Sequence, residues 1–596
     1  MKELSKINAY LWRYKWRLIL GFIFVAAQNY FRILIPPQFR KALDSAIASL
    51  NAYRDTTDAV EKEAIINAVT SELMYYALFV IGFALMMGFF MFMMRQTVIV
   101  VSRLIEYDFR KDIFHHYEKL DSSFYGKNTT GDMMSRITED VSKVRMYLGP
   151  GILYCINLIT LFVLAIYYMY NVNPKLTLYA LAPMPFLSVS IYWVSSYIHK
   201  RSEIIQIQLA KLTTISQEVY SGIRVIKSYV KEGQFQKYFQ KETNDYKNKS
   251  MDLAKVNALF HPLMMLLVSG SILLVVLVGG IEVSKGNITH GNIAEFIIYV
   301  TMLTWPFTAI GWIVSIVQQA EASQKRINQF LDTEPKIVNT VSENMQIKGQ
   351  IAFDKATFVY ADSGIKALDK VSFDVKKGEK LGIIGRTASG KTTIANLMLR
   401  MNEVTDGAIL IDGVNINDIN LHDLRQSIGY VPQDSFLFSD SISNNVAFGK
   451  PNTSQDEISQ ITKSSAVYED IMNLPKQFDT VIGERGVTLS GGQKQRISIA
   501  RALVKNPNII ILDDCLSAVD TTTEQLILGH LNNELKEKTC LIITHRIYKH
   551  LTFDKIIVLD EGKLVEYGSP EELIKKEGFY YDLLQKQQYE EKIIEN

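Results

Sequence analysis

Cysteine is scarce in this chain, with three among 596 residues. Cys155 lies in an apolar run, Cys515 beside two acids and Cys540 in an apolar strand-like segment. That spacing excludes a disulfide framework and a cysteine zinc site, and leaves small core residues. A surplus of charge is also missing. At a net +2 the chain has no basic excess that would point to nucleic acid. A secretory leader is not expected either, because the first apolar run has no small-residue cleavage site and ends at Pro36 and Pro37.

Charge is absent altogether over long stretches. Residues 73–94, 146–174, 176–198 and 296–320 carry none, and His261 alone interrupts 256–281. As helices rising 1.5 Å per residue, each can cross a hydrocarbon layer of ~30 Å. A further span is expected over 18–35 despite Arg32, which makes six. Lys2, Lys6, Arg13, Lys15 and Arg17 precede the first span against the single acid Glu3, which puts the N-terminus in the cytosol. Residues 1–16 then read as an amphipathic helix on the membrane surface, in contact with lipid. The long basic stretches 95–145 and 199–255 are cytosolic on the same rule, and the run from Arg95 to Lys111 reads as a solvated helical extension. Gln28, Asn29, Arg32 and Glu295 lie in or beside spans, where polar groups are costly. They either line a substrate path or, for Arg32 and Glu295 near the outer ends, snorkel to the interface.

A chain of this length needs at least two cores. The expected division is a six-helix all-α membrane domain over 1–330, a linker over 331–349 around Thr333, Glu334 and Pro335, and an α/β domain over 350–596. In the last, strand 381–384 runs into Gly385-Arg386-Thr387-Ala388-Ser389-Gly390-Lys391-Thr392, followed by Thr393. The pattern G-x-x-x-x-G-K-[ST] is a phosphate-binding loop. Glycines let backbone N–H groups close around phosphate oxygens, the next helix offers its positive end, Lys391 reaches the β- and γ-phosphates, and Thr392 ligates Mg²⁺. Further on, the apolar run Ile509, Ile510, Ile511 and Leu512 ends in Asp513 and Asp514. An acid closing such a strand holds Mg²⁺ in P-loop ATPases, and the next residue is the place of the hydrolytic base. ATP and Mg²⁺ are therefore the expected cofactors.

Leu489-Ser490-Gly491-Gly492-Gln493 stands between these two motifs and resembles the signature of ATP-binding cassette (ABC) proteins. Other elements fall in the family's order. Tyr360 is similar to the aromatic that stacks on adenine, and Gln433 in Val431-Pro432-Gln433 to the loop that senses Mg²⁺ and touches the membrane domain. Ser517-Ala518-Val519-Asp520 is similar to the D-loop, and His545 to the switch histidine. Gly483-Glu484-Arg485-Gly486 resembles the loop found before the signature in exporters. In the membrane half, Phe124-Tyr125-Gly126 with 131–136, including Asp132 and Arg136, resembles a first cytosolic coupling region. Residues 218–222, Val225 and Lys227 resemble a second. The resemblance covers about residues 10–585 and implies a half-transporter that works only as a pair. Its nucleotide would be bound by Tyr360, residues 385–393 and, on the facing chain, by Ser490, Gly491, Gly492 and Gln493. Asp514, Gln433 and His545 would serve hydrolysis, with Thr392, Gln433 and Asp513 at the metal.

Two departures from the family carry consequences. Ala388 stands where exporters usually have glycine, which adds a methyl group near the phosphates. Asp514 stands where the family has Glu, one methylene longer, and a displacement of ~1 Å can reduce turnover by ~100-fold. An Asp there resembles one member of heterodimeric bacterial multidrug exporters, whose two ATP sites are unequal. The expectation is ATP-driven export of an amphipathic or hydrophobic compound across a prokaryotic inner or plasma membrane. This chain would form one half of a heterodimer, with its own site hydrolytically weak and its ATP-binding domain in the cytosol. The alternatives are a homodimeric lipid flippase or peptide exporter, or an ATP-gated regulator.

Overall fold

The computed structural model describes residues 3–483, 489–516, 521–548 and 551–594. Two compact units emerge. The first holds residues 1–118 and 130–333, and the second holds 119–129 with 334–596.

The first unit is helical. Among the described residues five helical stretches are long and apolar enough to cross a membrane: Lys15–Asp55, Ala59–Lys119, Thr130–Val172, Glu232–Ser284 and His290–Leu331. The fourth expected span, 176–198, is divided. A short helix, Pro174–Leu181, ends before Pro183, and a new helix runs Met184–Ser221 with Pro185 in its first turn. Proline has no N–H to donate and crowds the preceding turn, and with two of them two residues apart the helix is interrupted here. Pro36 and Pro37 act alike, ending Lys15–Ile33 and sitting in the first turn of Ile35–Asp55. Helix starts are capped by side chains: Asp58 accepts from the N–H of Val60, Asn173 from that of Leu176, and Thr289 and Asn292 form a reciprocal capping box. Leu161, Ala165, Leu176, Phe296, Tyr299 and Leu303 are all fully or almost fully buried and form one apolar core.

The N-terminal segment matches a surface helix in part. Leu4 and Ile7 are buried, whereas Trp12 and Trp16 are exposed with Lys15 over both rings, the arrangement of an interfacial anchor. Glu295 does not snorkel. It is 1 % exposed, accepts from Tyr299 Oη at 3.0 Å and pairs with Arg40 at 3.2 Å. Asn29 is buried and donates to Thr160 Oγ1 at 2.6 Å, so it too fastens helices together. The basic stretch after Arg95 is only partly solvated. Val101, Ile105 and Phe109 are buried, and Glu106 sits among Arg103, Arg110 and Arg145.

The two parts of the first coupling region separate. Phe124, Tyr125 and Gly126 lie in the short helix Ser122–Lys127 of the second unit, where Asp121 accepts from the N–H of Lys336 at 2.8 Å and Lys127 pairs with Asp362. Asp132 and Arg136 stay in the first unit, where the Asp132 carboxylate binds Arg136 at 2.7 Å and Arg326 at 2.6 Å. In the second coupling region Gly222 ends the helix Met184–Ser221, and Val225 in Ile223–Ser228 is exposed.

Among the described residues the second unit has ten strands: β1 (Ile351–Val359), β2 (Lys366–Val375), β3 (Lys380–Gly385), β4 (Asp406–Ile411), β5 (Val414–Asn415), β6 (Ile428–Val431), β7 (Ile509–Asp513), β8 (Thr539–Ile543), β9 (Lys555–Asp560) and β10 (Lys563–Gly568). An antiparallel sheet runs β2-β1-β4-β5. A mixed sheet runs β10-β9-β3-β8-β7-β6, parallel except for the edge strand β10. Strands β7 and β8 are buried along their whole length, as parallel strands covered on both faces must be. Successive residues alternate between two cores: Ile509 and Ile511 face one with Leu541 and Ile543, while Ile510 and Leu512 face the other with Cys540 and Ile542.

Candidate functional site

The phosphate loop leaves the carboxyl end of β3, which lies between β8 and β9 in the parallel register. Ligands of open α/β sheets bind at that edge. The helix Lys391–Met398 follows with Gly390 as its left-handed cap at φ +98°. A side chain at Gly390 would collide with the carbonyl oxygen of Ala367, and one at Gly385 with that of Leu559, so both positions need glycine. Ala388 adopts φ +66°, the same left-handed region, without being glycine. The methyl group therefore strains the loop.

Within the loop Lys391 Nζ donates to the carbonyl oxygens of Gly385 at 2.9 Å and Arg386 at 2.7 Å. Burial lowers the Lys391 pKa, opposed by the charges of Asp514 and Asp513. Ser389 is 3 % exposed, and its hydroxyl has no hydrogen-bond partner among the described residues. A buried hydroxyl without a partner is costly unless a ligand supplies one.

Asp513 ends β7 at 1 % exposure. Its Oδ1 accepts from Thr392 Oγ1 at 3.3 Å, and its Oδ2 is buried without a hydrogen-bond partner among the described residues. Burial raises the pKa of this carboxyl, with Asp514 adding to the rise and Thr392 and Lys391 opposing it. One carboxylate and one hydroxyl, both hard oxygens, suit Mg²⁺, which takes its remaining ligands from phosphates and water. The residues present fit that ion.

Asp514 turns the chain at φ +47°, its N–H bonded to the Ile543 carbonyl at 2.9 Å. His545, two residues beyond β8, donates from Nδ1 to Asp514 Oδ1 at 3.0 Å. That bond fixes the imidazole and turns Nε2 outward. Tyr360 packs edge-on against Phe358 at 4.8 Å, and its hydroxyl lies 3.3 Å from Thr393 Oγ1.

One cleft of about 560 Å³ gathers Tyr360, residues 387–393, Gln433, Asp513, Asp514 and His545. Its wall also includes Lys366, Glu561 and Gly562, which the sequence did not single out. No motif marks them, because they arrive from β2 and the β9–β10 turn by the fold alone. Arg386 is outside the wall, with its guanidinium over the ring of Phe579 at 5.7 Å. The signature residues are outside it too. Ser490 caps the helix Gly491–Val504, its Oγ accepting from Gln493 N–H at 3.2 Å while Gln493 Oε1 accepts from Ser490 N–H at 3.0 Å. Gln493 Nε2 and Arg496 both reach Asp470, which holds this N-terminus in place. Residues 484–486 and the D-loop-like Ser517, Ala518, Val519 and Asp520 fall outside the described residues.

Residues 18–307 match the family model described as ABC transporter transmembrane region, and residues 368–517 match the model described as ABC transporter. The chain is 35 % identical over 588 residues to the Bacillus subtilis probable multidrug resistance ABC transporter ATP-binding/permease protein YheI, covering 98 % of this chain and 97 % of that one. It is 32 % identical over 592 residues to the Escherichia coli multidrug resistance-like ATP-binding protein MdlA, covering 99 % and 97 %. In fold it is similar to a bacterial Atm1-family ABC exporter with ATP bound, at a TM-score of 0.75 and 24 % identity over 97 % of this chain and 99 % of that one.

Proposed function

The chain belongs to the ABC transporter family, as a transmembrane domain fused to a transport-coupled ATPase, and we propose that it is the hydrolytically weak half of a heterodimeric exporter of amphipathic or hydrophobic compounds. One observation carries the two-chain part of the reading, and Asp514 in place of the longer Glu carries the unequal sites. The cleft brings together the phosphate loop, Asp513 and the Asp514–His545 pair, while Ser490 caps a helix outside it. A complete ATP site then takes its signature from a second chain.

In this reading Lys391, the loop N–H groups and Ser389 hold the phosphates, Tyr360 carries the adenine, and Thr392, Asp513 and Gln433 hold Mg²⁺. The metal would draw charge from the β- and γ-phosphates. Asp514 would orient the attacking water with His545 bound to it, and its short reach makes that slow. The partner's site would supply most turnover, completed by this chain's Ser490. The names of YheI and MdlA support a multidrug substrate range, and the charge pattern around the spans supports a plasma or inner membrane with the ATPase unit in the cytosol.

Steady-state ATPase of the reconstituted pair tests this. Ser490→Arg abolishes activity, and Asp514→Asn keeps at least half of it. Robust hydrolysis by this chain alone, lost in Asp514→Asn, overturns the heterodimer in favour of a homodimer that uses Asp as its base.

A further inference from the structure

We propose that a small cavity in the membrane unit is a substrate subsite for an aromatic group bearing a negative charge. The inference rests on the export reading above and narrows its substrate. The cavity measures about 160 Å³ and is lined by Lys143, Met146, Trp312, Ser315, Ile316 and Gln319. It lies between the helix Val141–Met146 and the lower half of His290–Leu331. By the charge pattern of the sequence, these are the ends of the spans nearest the cytosol.

Its chemistry is two-sided. Trp312 and Met146 supply an aromatic face and a polarizable thioether. Trp312 continues into an aromatic ladder: Tyr154 packs on it edge-on at 5.4 Å and on Trp305 at the same distance. Both indoles remain substantially exposed. Lys143 alone among the lining residues is charged, and no ion pair involves it among the described residues. Two nearby acids are already engaged: Asp140 by Ser323 and Arg326, and Glu106 by Arg103, Arg110 and Arg145. Gln319 spends its amide N–H on Ser315 Oγ at 3.0 Å, leaving its carbonyl oxygen to accept from a ligand.

The backbone beside the cavity is unusual as well. Residues Tyr147–Gly151 form a widened helical turn containing Pro150, and Gly151 lies close enough to Ile316 that a side chain there would be crowded. Widened turns inside helices recur at functional sites. A cavity of ~150 Å³ can hold one benzene ring, so this one takes one ring of a fused or larger aromatic compound. A ring carrying a carboxylate or sulfonate satisfies Lys143 and stacks on Trp312, while a lipophilic cation meets a like charge.

A matched pair of probes tests this on the full transporter in nanodiscs without nucleotide: 2-naphthoate and 2-naphthyltrimethylammonium, read by quenching of tryptophan emission with Trp312→Phe as control. The anion binds at least roughly tenfold more tightly. Lys143→Gln removes the preference and Lys143→Glu reverses it. Equal binding of both probes to the wild type, quenching unchanged in Trp312→Phe, or an order that survives Lys143→Glu overturns the subsite. Because no nucleotide is present, the result is independent of whether Ser490 and Asp514 behave as proposed.

Discussion

Replacing Arg326 by Met isolates a buried charge in the membrane unit, and the size of the effect follows from three contacts. Arg326 binds Asp132 Oδ1 at 2.6 Å and Asp140 Oδ2 at 3.0 Å, while Ser323 donates to Asp140 Oδ1 at 2.8 Å. The two acids differ in burial. Asp132 keeps Arg136 at 2.7 Å and its side chain is one-third exposed, so its loss is a surface ion pair worth ~0.5 kcal/mol. Asp140 is 1 % exposed and would retain only the serine hydroxyl. Stranding a buried charge costs ~3–5 kcal/mol. The Arg326 side chain is 42 % exposed, so water can enter behind the shorter Met and the expected loss falls to about 2–3 kcal/mol. For a unit of this size that lowers the melting temperature by roughly 3–4 °C. The assay is thermal unfolding of the purified transporter, followed by intrinsic fluorescence at fixed detergent and lipid. Adding Asp140→Asn to the Met variant recovers at least half the loss, because the neutral amide has no charge to strand. A single-variant shift below 1 °C, or a double variant no better than the single, refutes the argument.

The phosphate loop yields two further predictions. Lys391→Ala lowers photolabelling of this chain by an azido-ATP analogue by tenfold or more, since it removes the cation that meets the phosphates; unchanged labelling contradicts the assignment. Ala388→Gly relieves left-handed strain of ~1–2 kcal/mol but gives the unfolded chain ~0.5–1 kcal/mol of added entropy, so the variant melts no earlier than wild type and binds ATP at least as tightly. A loss of ~1 kcal/mol, normal for Ala→Gly in ordinary backbone, is the contrary result.

The parts of this protein that could be read from sequence are those where one residue type satisfies a local physical demand. Gly385 and Gly390 are crowded by neighbouring carbonyl oxygens, Lys391 must reach across a loop, and Asp513 must close a fully buried strand. Each demand leaves its mark within a few residues, and the cleft indeed gathers Tyr360, Gln433, Asp514 and His545 around them. Lys366, Glu561 and Gly562 left no mark, because they line the same cleft only through the order of strands in two sheets. Charge counting read the membrane helices, but it is blind to backbone, so it ran one span straight through Pro183 and Pro185. It also assigned Glu295 a choice between a substrate path and the interface, when Arg40 and Tyr299, from another helix and the next turn, supply the partners that let it be buried.

The coupling segments make the same point at the level of function. Residues 124–136 looked like one continuous region, yet the structure divides them between two units at Thr130. Phe124 and Tyr125 stand with Asp121 and Lys127 in the second unit, while Asp132 is bound to Arg326 almost two hundred positions away in the first. A substitution at Asp132 therefore acts first on the packing of the membrane unit, and one at Tyr125 acts on the ATPase unit. The difference comes from which carboxylate finds which arginine, and that pairing is fixed by tertiary structure rather than by the local order of residues.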